Sequence, residues 1–244
     1  MTTTGTSSFN LDLNDLVEEA FERCGKELRT GYDFRTARRS LNLLTIEWAN
    51  RGINLWTIEQ GSITLVQGTN TYDLPDDTID LLEHQIRTNA GSQSNQTDIT
   101  ISRISVSTYA TIPNKLSQGR PIQVWINRQS GASYPTGDNP DRHPQITVWP
   151  TPDGSQTYTF VYCRLRRIQD AGNGVNTQDI PFRFIPCMVA GLAYYLSIKL
   201  DNVPPERIAG LKADYEQQFQ LASEEDREKA PIRFVPRRMF IGSY

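Results

Sequence analysis

The chain has 244 residues, 37% of them hydrophobic, enough for one large domain or two modest ones, each with a core. Its formal net charge of -3 excludes the basic footprint of a protein that grips nucleic acid by neutralising phosphates. Cys24, Cys163 and Cys187 are odd in number, far apart and without a CxxC pair, which argues against a disulfide framework and a zinc site.

The first ten residues are rich in Thr and Ser, with neither a basic start nor an apolar run, so no signal peptide is expected. No apolar stretch reaches the length of a membrane span; the longest, Ile185 to Leu200, is interrupted by Pro186, Ser197 and Lys199. Maturation in a reducing cytoplasm is therefore expected, with Cys24 and Cys187 as small core residues on helices.

Helical spacing begins at once. Leu13, Leu16, Val17, Ala20, Phe21, Cys24 and Leu28 fall on one face, with Asp12 as N-cap and Gly25 or Gly31 as the stop. A second helix is expected from an Asp33 cap, with Phe34, Ala37, Leu41, Leu44 and Trp48 inward, Arg35, Arg38 and Arg39 off that face, and Gly52 past its end. The pair makes an αα-hairpin over residues 1–54.

Residues 55–178 read as β structure. Ser62 to Val66, a Gln67 to Asn70 turn and Thr71 to Leu74 form strand, turn, strand; Ile79 to Thr88 follows. Asp98 to Ile104 alternates with a slip near Ser102. Pro121 to Asn127 places Ile122, Val124 and Ile126 on one side and Trp125 on the other. A polar loop, Gln129 to Arg142, precedes strands at Gln145 to Trp149 and Tyr158 to Leu165. Many short strands with Gly/Pro turns predict an antiparallel sandwich or barrel.

Helix returns over residues 179–230. Asp179 is the expected cap of a segment from Pro181, with Ile185, Met188, Val189, Leu192, Ala193, Leu196 and Leu200 on one face. The last helix opens at Pro204-Pro205 and carries Ile208, Leu211, Tyr215, Phe219 and Ala222 as a stripe. Each helix pair has one apolar face and nothing local to cover it. The expected fold is α+β: a helical bundle of the N- and C-terminal pairs, with the β domain inserted between them.

Residues 231–244 form an expected extended tail. Pro231 and Pro236 prevent a helix through it. It carries Ile232, Arg233, Phe234, Val235, Arg237, Arg238, Met239, Phe240 and Ile241 and no acid. An extended, apolar, basic terminus is poorly suited to water and fits insertion into a partner.

The case for an enzyme is thin. His84 and His143 are the only histidines, and neither sits in a metal-ligand pattern. No GxSxG elbow or Walker A loop is present, and Gly172-Asn173-Gly174 reads as a turn. The acids at Asp76-Asp77 and Glu224-Glu225-Asp226 are expected to be solvated, and sequence spacing cannot place two carboxyls across a cleft. Arg35, Arg38 and Arg39, like Arg164, Arg166 and Arg167, suit solvated faces or contacts between subunits. Trp125, Tyr134 and Trp149 admit a carbohydrate platform; packing of Trp125 in a subunit interface or under a loop is the preferred reading. No cofactor or metal site is expected.

The string Ile104 to Asn127, with Tyr109 to Lys115 followed by Gly119-Arg120-Pro121, is similar to phage virion proteins. So are the Gly68 to Pro75 turn, Arg128-Gln129, the Trp149 to Asp153 turn, Tyr158 to Phe160, Arg166 to Asp170 and Gly191 to Leu196. The ordered set resembles the head-to-tail adaptors of short-tailed phages, the family of tail tubular protein A and packaged-DNA stabilisation proteins. That resemblance implies a virion protein without catalytic residues. It implies a dodecameric ring beneath the portal protein, with a C-terminal tail docking on the portal and a nozzle or tail attached below. It implies a wall around the channel through which DNA leaves. It leaves open which β surfaces would meet the nozzle or the tail fibres. A carbohydrate-binding module is the alternative.

Overall fold

The computed structural model describes residues 3–128 and 143–227. Helix α1 (Leu13–Arg23) starts at the expected cap, where the Asp12 carboxylate accepts the Asp15 amide at 2.9 Å. The next open amides, of Leu13 and Asn14, donate to the carbonyls of Asn176 and Gly174, each at 3.0 Å. The Gly172 to Asn176 turn thus covers a helix end that would otherwise be left with unpaired donors. The helix stops at Gly25, whose φ of +71° a residue with a Cβ tolerates poorly.

Helix α2 (Gly31–Asn50) begins earlier than expected. Thr30 is its cap, and Asp33 is the third helical residue of a reciprocal capping box. Gly31 opens this helix rather than ending the previous one. Ala37, Leu41, Leu44 and Trp48 are fully buried as their spacing requires.

The β region forms two four-stranded sheets. The strands are β1 (Ile58–Thr64), β2 (Thr71–Asp73), β3 (Thr78–Thr88), β4 (Thr97–Thr100) and β5 (Ser102–Ile104). A short helix, α3 (Val106–Ala110), precedes β6 (Gln123–Asn127), β7 (Gln145–Trp149) and β8 (Tyr158–Arg166). One sheet has the order β1-β8-β3-β4 and the other β2-β7-β6-β5. Their inner faces share a core that includes Leu81, Ile86, Ile101, Val124, Ile146, Val148 and Phe160.

Four features differ from expectation or narrow it. β1 and β2 do not form a hairpin; the turn between them carries the chain from one sheet to the other. β5 pairs with β6 in parallel, so the second sheet is mixed. Of the expected alternatives, sandwich or barrel, the barrel falls: the two sheets stay open, with distinct edge strands. Ile122 lies outside β6 and is exposed, although Val124 and Ile126 are buried as expected. The slip near Ser102 has a physical cause: the chain leaves the first sheet at Thr100 and enters the second at Ser102, with Ile101 buried at the pivot.

Helix α4 (Ile185–Ser197) packs against α1, α2 and α5 (Pro205–Glu225). It is buried on nearly every side rather than on one face, and the long helices share one core. At Gly191 an added Cβ would lie 2.9 Å from both Leu44 and Tyr215, so the close approach of α2 and α5 to α4 depends on that glycine. The Trp48 indole donates to the Tyr215 hydroxyl at 3.2 Å, which satisfies both polar tips inside the core. Arg51 joins α2 to α5 through Glu216 and lies 4.3 Å over the Phe219 ring.

Candidate interaction surfaces

Arg35, Arg38 and Arg39 are exposed on α2, and none is ion-paired among the described residues. Arg39 lines a hollow with Tyr32, Asp33, Thr36, Lys199 and Leu200, at the far end of α4. On α1, Asp15, Glu18 and Glu22 are exposed, and they rim a groove with the start of α4.

Trp125 points to the outer face of the second sheet, as its register predicts, but its own chain covers it. Tyr109 on α3 stacks on the indole with ring centroids 5.3 Å apart and planes at 20°. Lys115 lies 5.5 Å from the Tyr109 ring and donates to the carbonyls of Ala110 and Ile112. Trp149, on the same face, donates its indole N–H to the Asn114 carbonyl at 3.1 Å. The segment from Ser105 to Leu116 therefore occupies the face on which a sugar platform would need open rings.

The second arginine cluster overturns an expectation. Arg164 and Arg166 are neither solvated nor left for another subunit; each side chain is only 11% exposed. Arg164 bonds Asp77 and, at 2.8 Å, Glu59. Arg166 bonds Glu59 at 2.6 Å and grips Asp179 at 2.5 and 3.1 Å. The Asp179 hydrogen bond dominates the upward shift of the Arg166 pKa. Burial opposes the charge of Arg164, and the Asp77 and Glu59 carboxylates outweigh it. Burial likewise opposes ionisation of Asp179, but Arg166 and the Gln169 amide hold its pKa below the ordinary carboxylate range.

Asp179 consequently does not cap α4. Its carboxylate serves the arginine, and a 3-10 turn at Phe182–Phe184 leads into the helix instead. The network was readable in part: arginines two apart on a strand share a face and need an acid on the neighbouring strand. Glu59 supplies it, in register with Arg164.

The paired acids are partly solvated, as expected, with Asp76 63% and Asp77 45% exposed, but most of them also have partners. Asp76 faces the His143 imidazole at 2.5 Å, and Asp77 belongs to the Arg164 network. Asp226 accepts the backbone amides of Asn54 and Leu55 at 2.8 and 3.2 Å, and Glu225 pairs with Arg183. Trp56, next along the chain, donates to the Asp179 carbonyl and packs 4.9 Å from Phe184.

His84 is a sheet residue, as expected. Both ring nitrogens are buried without a hydrogen-bond partner, and Phe160 stacks on the ring at 6.2 Å. Burial first, then the nearby Arg103 charge, pushes its pKa down. Cys24 and Cys187 are buried, and burial raises their thiol pKa values to about 11 and about 12. Among the described residues no cluster of three or more His, Cys, Asp or Glu is placed to hold a metal ion. No helix among them is long and apolar enough to cross a membrane. Arg233, Phe234, Val235, Arg237, Arg238, Met239, Phe240 and Ile241 lie outside the described residues, as does Tyr134.

The model of the SU10 adaptor protein family matches residues 11–236, which spans both helical segments and the whole β region. The chain belongs to the SU10 adaptor family. This is a family of phage head-to-tail adaptors, so the coarse expectation of a structural virion component stands. The likeness to tail tubular protein A rests on the sequence pattern alone. No curated protein matches the chain.

Proposed function

We propose that this chain is a ring subunit of the head-to-tail connector, seated between the portal protein and the tail nozzle. In this reading the ring is dodecameric, as the resemblance implies, and its inner wall surrounds the channel through which DNA leaves without specific binding. The family match over residues 11–236 is the observation that carries the reading. Residues 1–54 and 179–230 form the helical bundle, 55–178 are an inserted module, and 231–244 are the docking tail.

Arg233, Phe234, Val235, Arg237, Arg238, Met239, Phe240 and Ile241 are the portal-binding residues in this reading, with the aromatics as anchors and the arginines as charge partners. Arg35, Arg38, Arg39 and Trp125 belong to contacts between subunits. The exposure of the three α2 arginines supports that role. Trp125 contributes through the surface that it and Tyr109 build together. The small net charge of -3 suits a channel wall that must not trap DNA.

The test is a pull-down against the portal of the same phage, using the full chain and a form cut before Pro231, followed by native mass measurement. Binding by the full chain in the portal's stoichiometry, lost on truncation, supports both the adaptor position and the tail's role. Absence of binding by both forms overturns the position. Equal binding by both moves the portal contact off the tail.

A further inference from the structure

Two charged stripes on the helices have no ion-pair partners among the described residues. On α1, Asp15, Glu18 and Glu22 recur at three- and four-residue spacing and share one exposed face. None of these three is ion-paired among the described residues, whereas their neighbour Glu19 is held by Arg23. The stripe rims a groove of about 480 Å³ with an apolar floor of Leu11, Ile185, Pro186 and Val189. Phe9, 77% exposed, stands at its edge. On α2, Arg35, Arg38 and Arg39 are equally unpaired.

The two stripes are complementary in number and sign. From Asp15 to Glu22 the helix rises about 10 Å, and from Arg35 to Arg39 about 6 Å, before the long arginine side chains extend the reach. No ion pair joins them among the described residues, although the Glu22 end of the acidic stripe and Arg39 each line a hollow that includes Asp33 and Leu200. The rest of the groove lies against the first turn of α4, at Ile185 and Val189.

We infer that the acidic groove of α1 receives the arginine stripe of α2 from a second copy of this chain. The contact joins two different patches, so it is heterologous: every open assembly keeps one free groove at one end and one free stripe at the other, and addition continues until a ring closes. The inference rests on the ring reading above and names its lateral contact. The apolar groove floor supplies burial, and the charges fix register and exclude the reversed orientation.

The test uses sedimentation of the full chain over a concentration series reaching about 1 mM, where even a weak contact is populated, at low salt. Two variants reverse one side each: Glu18→Lys with Glu22→Lys, and Arg38→Glu with Arg39→Glu. All four positions are exposed, and circular dichroism melts check that both variants fold. Wild type is expected to self-associate, less so as salt rises. Each variant alone is expected to associate at least about tenfold more weakly, and an equimolar mixture to recover, because each supplies the surface the other needs. Wild-type association unchanged by either reversal overturns this contact and leaves the adaptor position, read by portal binding, untouched. No association of wild type at about 1 mM overturns it as well. So does a loss of DNA binding in the arginine variant with no change in self-association.

Discussion

Arg166, on the last strand, and Asp179, on the segment that leads back to the helices, form a two-pronged ion pair across the end of the β region. Both side chains are mostly buried, at 11% and 19% exposure. Removing one partner of such a pair leaves the other charge poorly solvated, a larger loss than the net value of the pair. Arg166→Ala is expected to lower stability by about 3 kcal/mol, and the double variant with Asp179→Ala to cost less than the sum of the single ones. Urea unfolding of the four forms measures the coupling; strict additivity would show that the pair contributes nothing.

Stability is expected to fall with acid in two stages. The folded pKa of His84 is depressed, so the unfolded chain takes up the proton first, and stability drops as pH falls below about 6.5. Asp179 and Asp98 are depressed by their arginines, so their contribution is present above the ordinary carboxylate range and is lost as pH falls below it. His84→Leu is expected to remove the first stage and, by deleting two unpaired buried nitrogens, to leave stability at pH 7 unchanged or raised by about 1 kcal/mol. Denaturant midpoints at several pH values check this. A first stage that persists in the variant would assign it to another group.

Gly191→Ala tests the centre of the helical core. The new methyl would press on Leu44 and Tyr215, both fully buried, so neither can swing into solvent. A loss of about 1–3 kcal/mol is expected, as for other overpacked cores, read as a Tm lower by several degrees. An unchanged Tm would mean that the helices separate freely at this crossing.

Tyr109→Ala should uncover Trp125. The loss of one stacked pair costs about 1 kcal/mol, and Trp125 emission moves to the red with greater quenching. The same substitution in a Trp125→Phe background gives no such shift if the signal comes from that indole.

Thiol labelling of the folded chain is expected to be slow at Cys24 and Cys187, where burial holds the thiols protonated. Cys163, part-exposed on β8, is the first site to react. Rapid labelling of all three sites in native buffer would contradict the packing around α4.

The long helices were legible because caps and stripes agree: Asp12 with Leu13 to Phe21, and Gly52 after Trp48. Two shifts came from competition among polar side chains. Thr30 displaced Asp33 from the cap because the threonine and the aspartate satisfy each other, and Asp179 was drawn to Arg166 instead of α4. Strand positions were read well, but sheet membership was not. Turn residues report a local reversal and not which sheet receives the next strand, so β1 and β2 looked like a hairpin. α3 has five residues, too few for a helical period to show. The arginine roles divided by period: at 164 and 166 a strand places both on one face against Glu59, whereas at 35, 38 and 39 a helix turns all three to the surface.

The two connections between helices and sheets run side by side, since Ile58 at the start of β1 pairs with Leu165 near the end of β8. Tension that draws the sheets away from the helices therefore arrives at the open mouth of a zipper rather than along its length. Rungs loaded from one end give way in sequence, so the force needed to begin is set by the first few. Glu59, Arg164, Arg166 and Asp179 sit at that mouth, and Asp226 bonds the backbone just before it. Their cross-bracing makes the mechanical strength of the whole ladder a property of its opening rung.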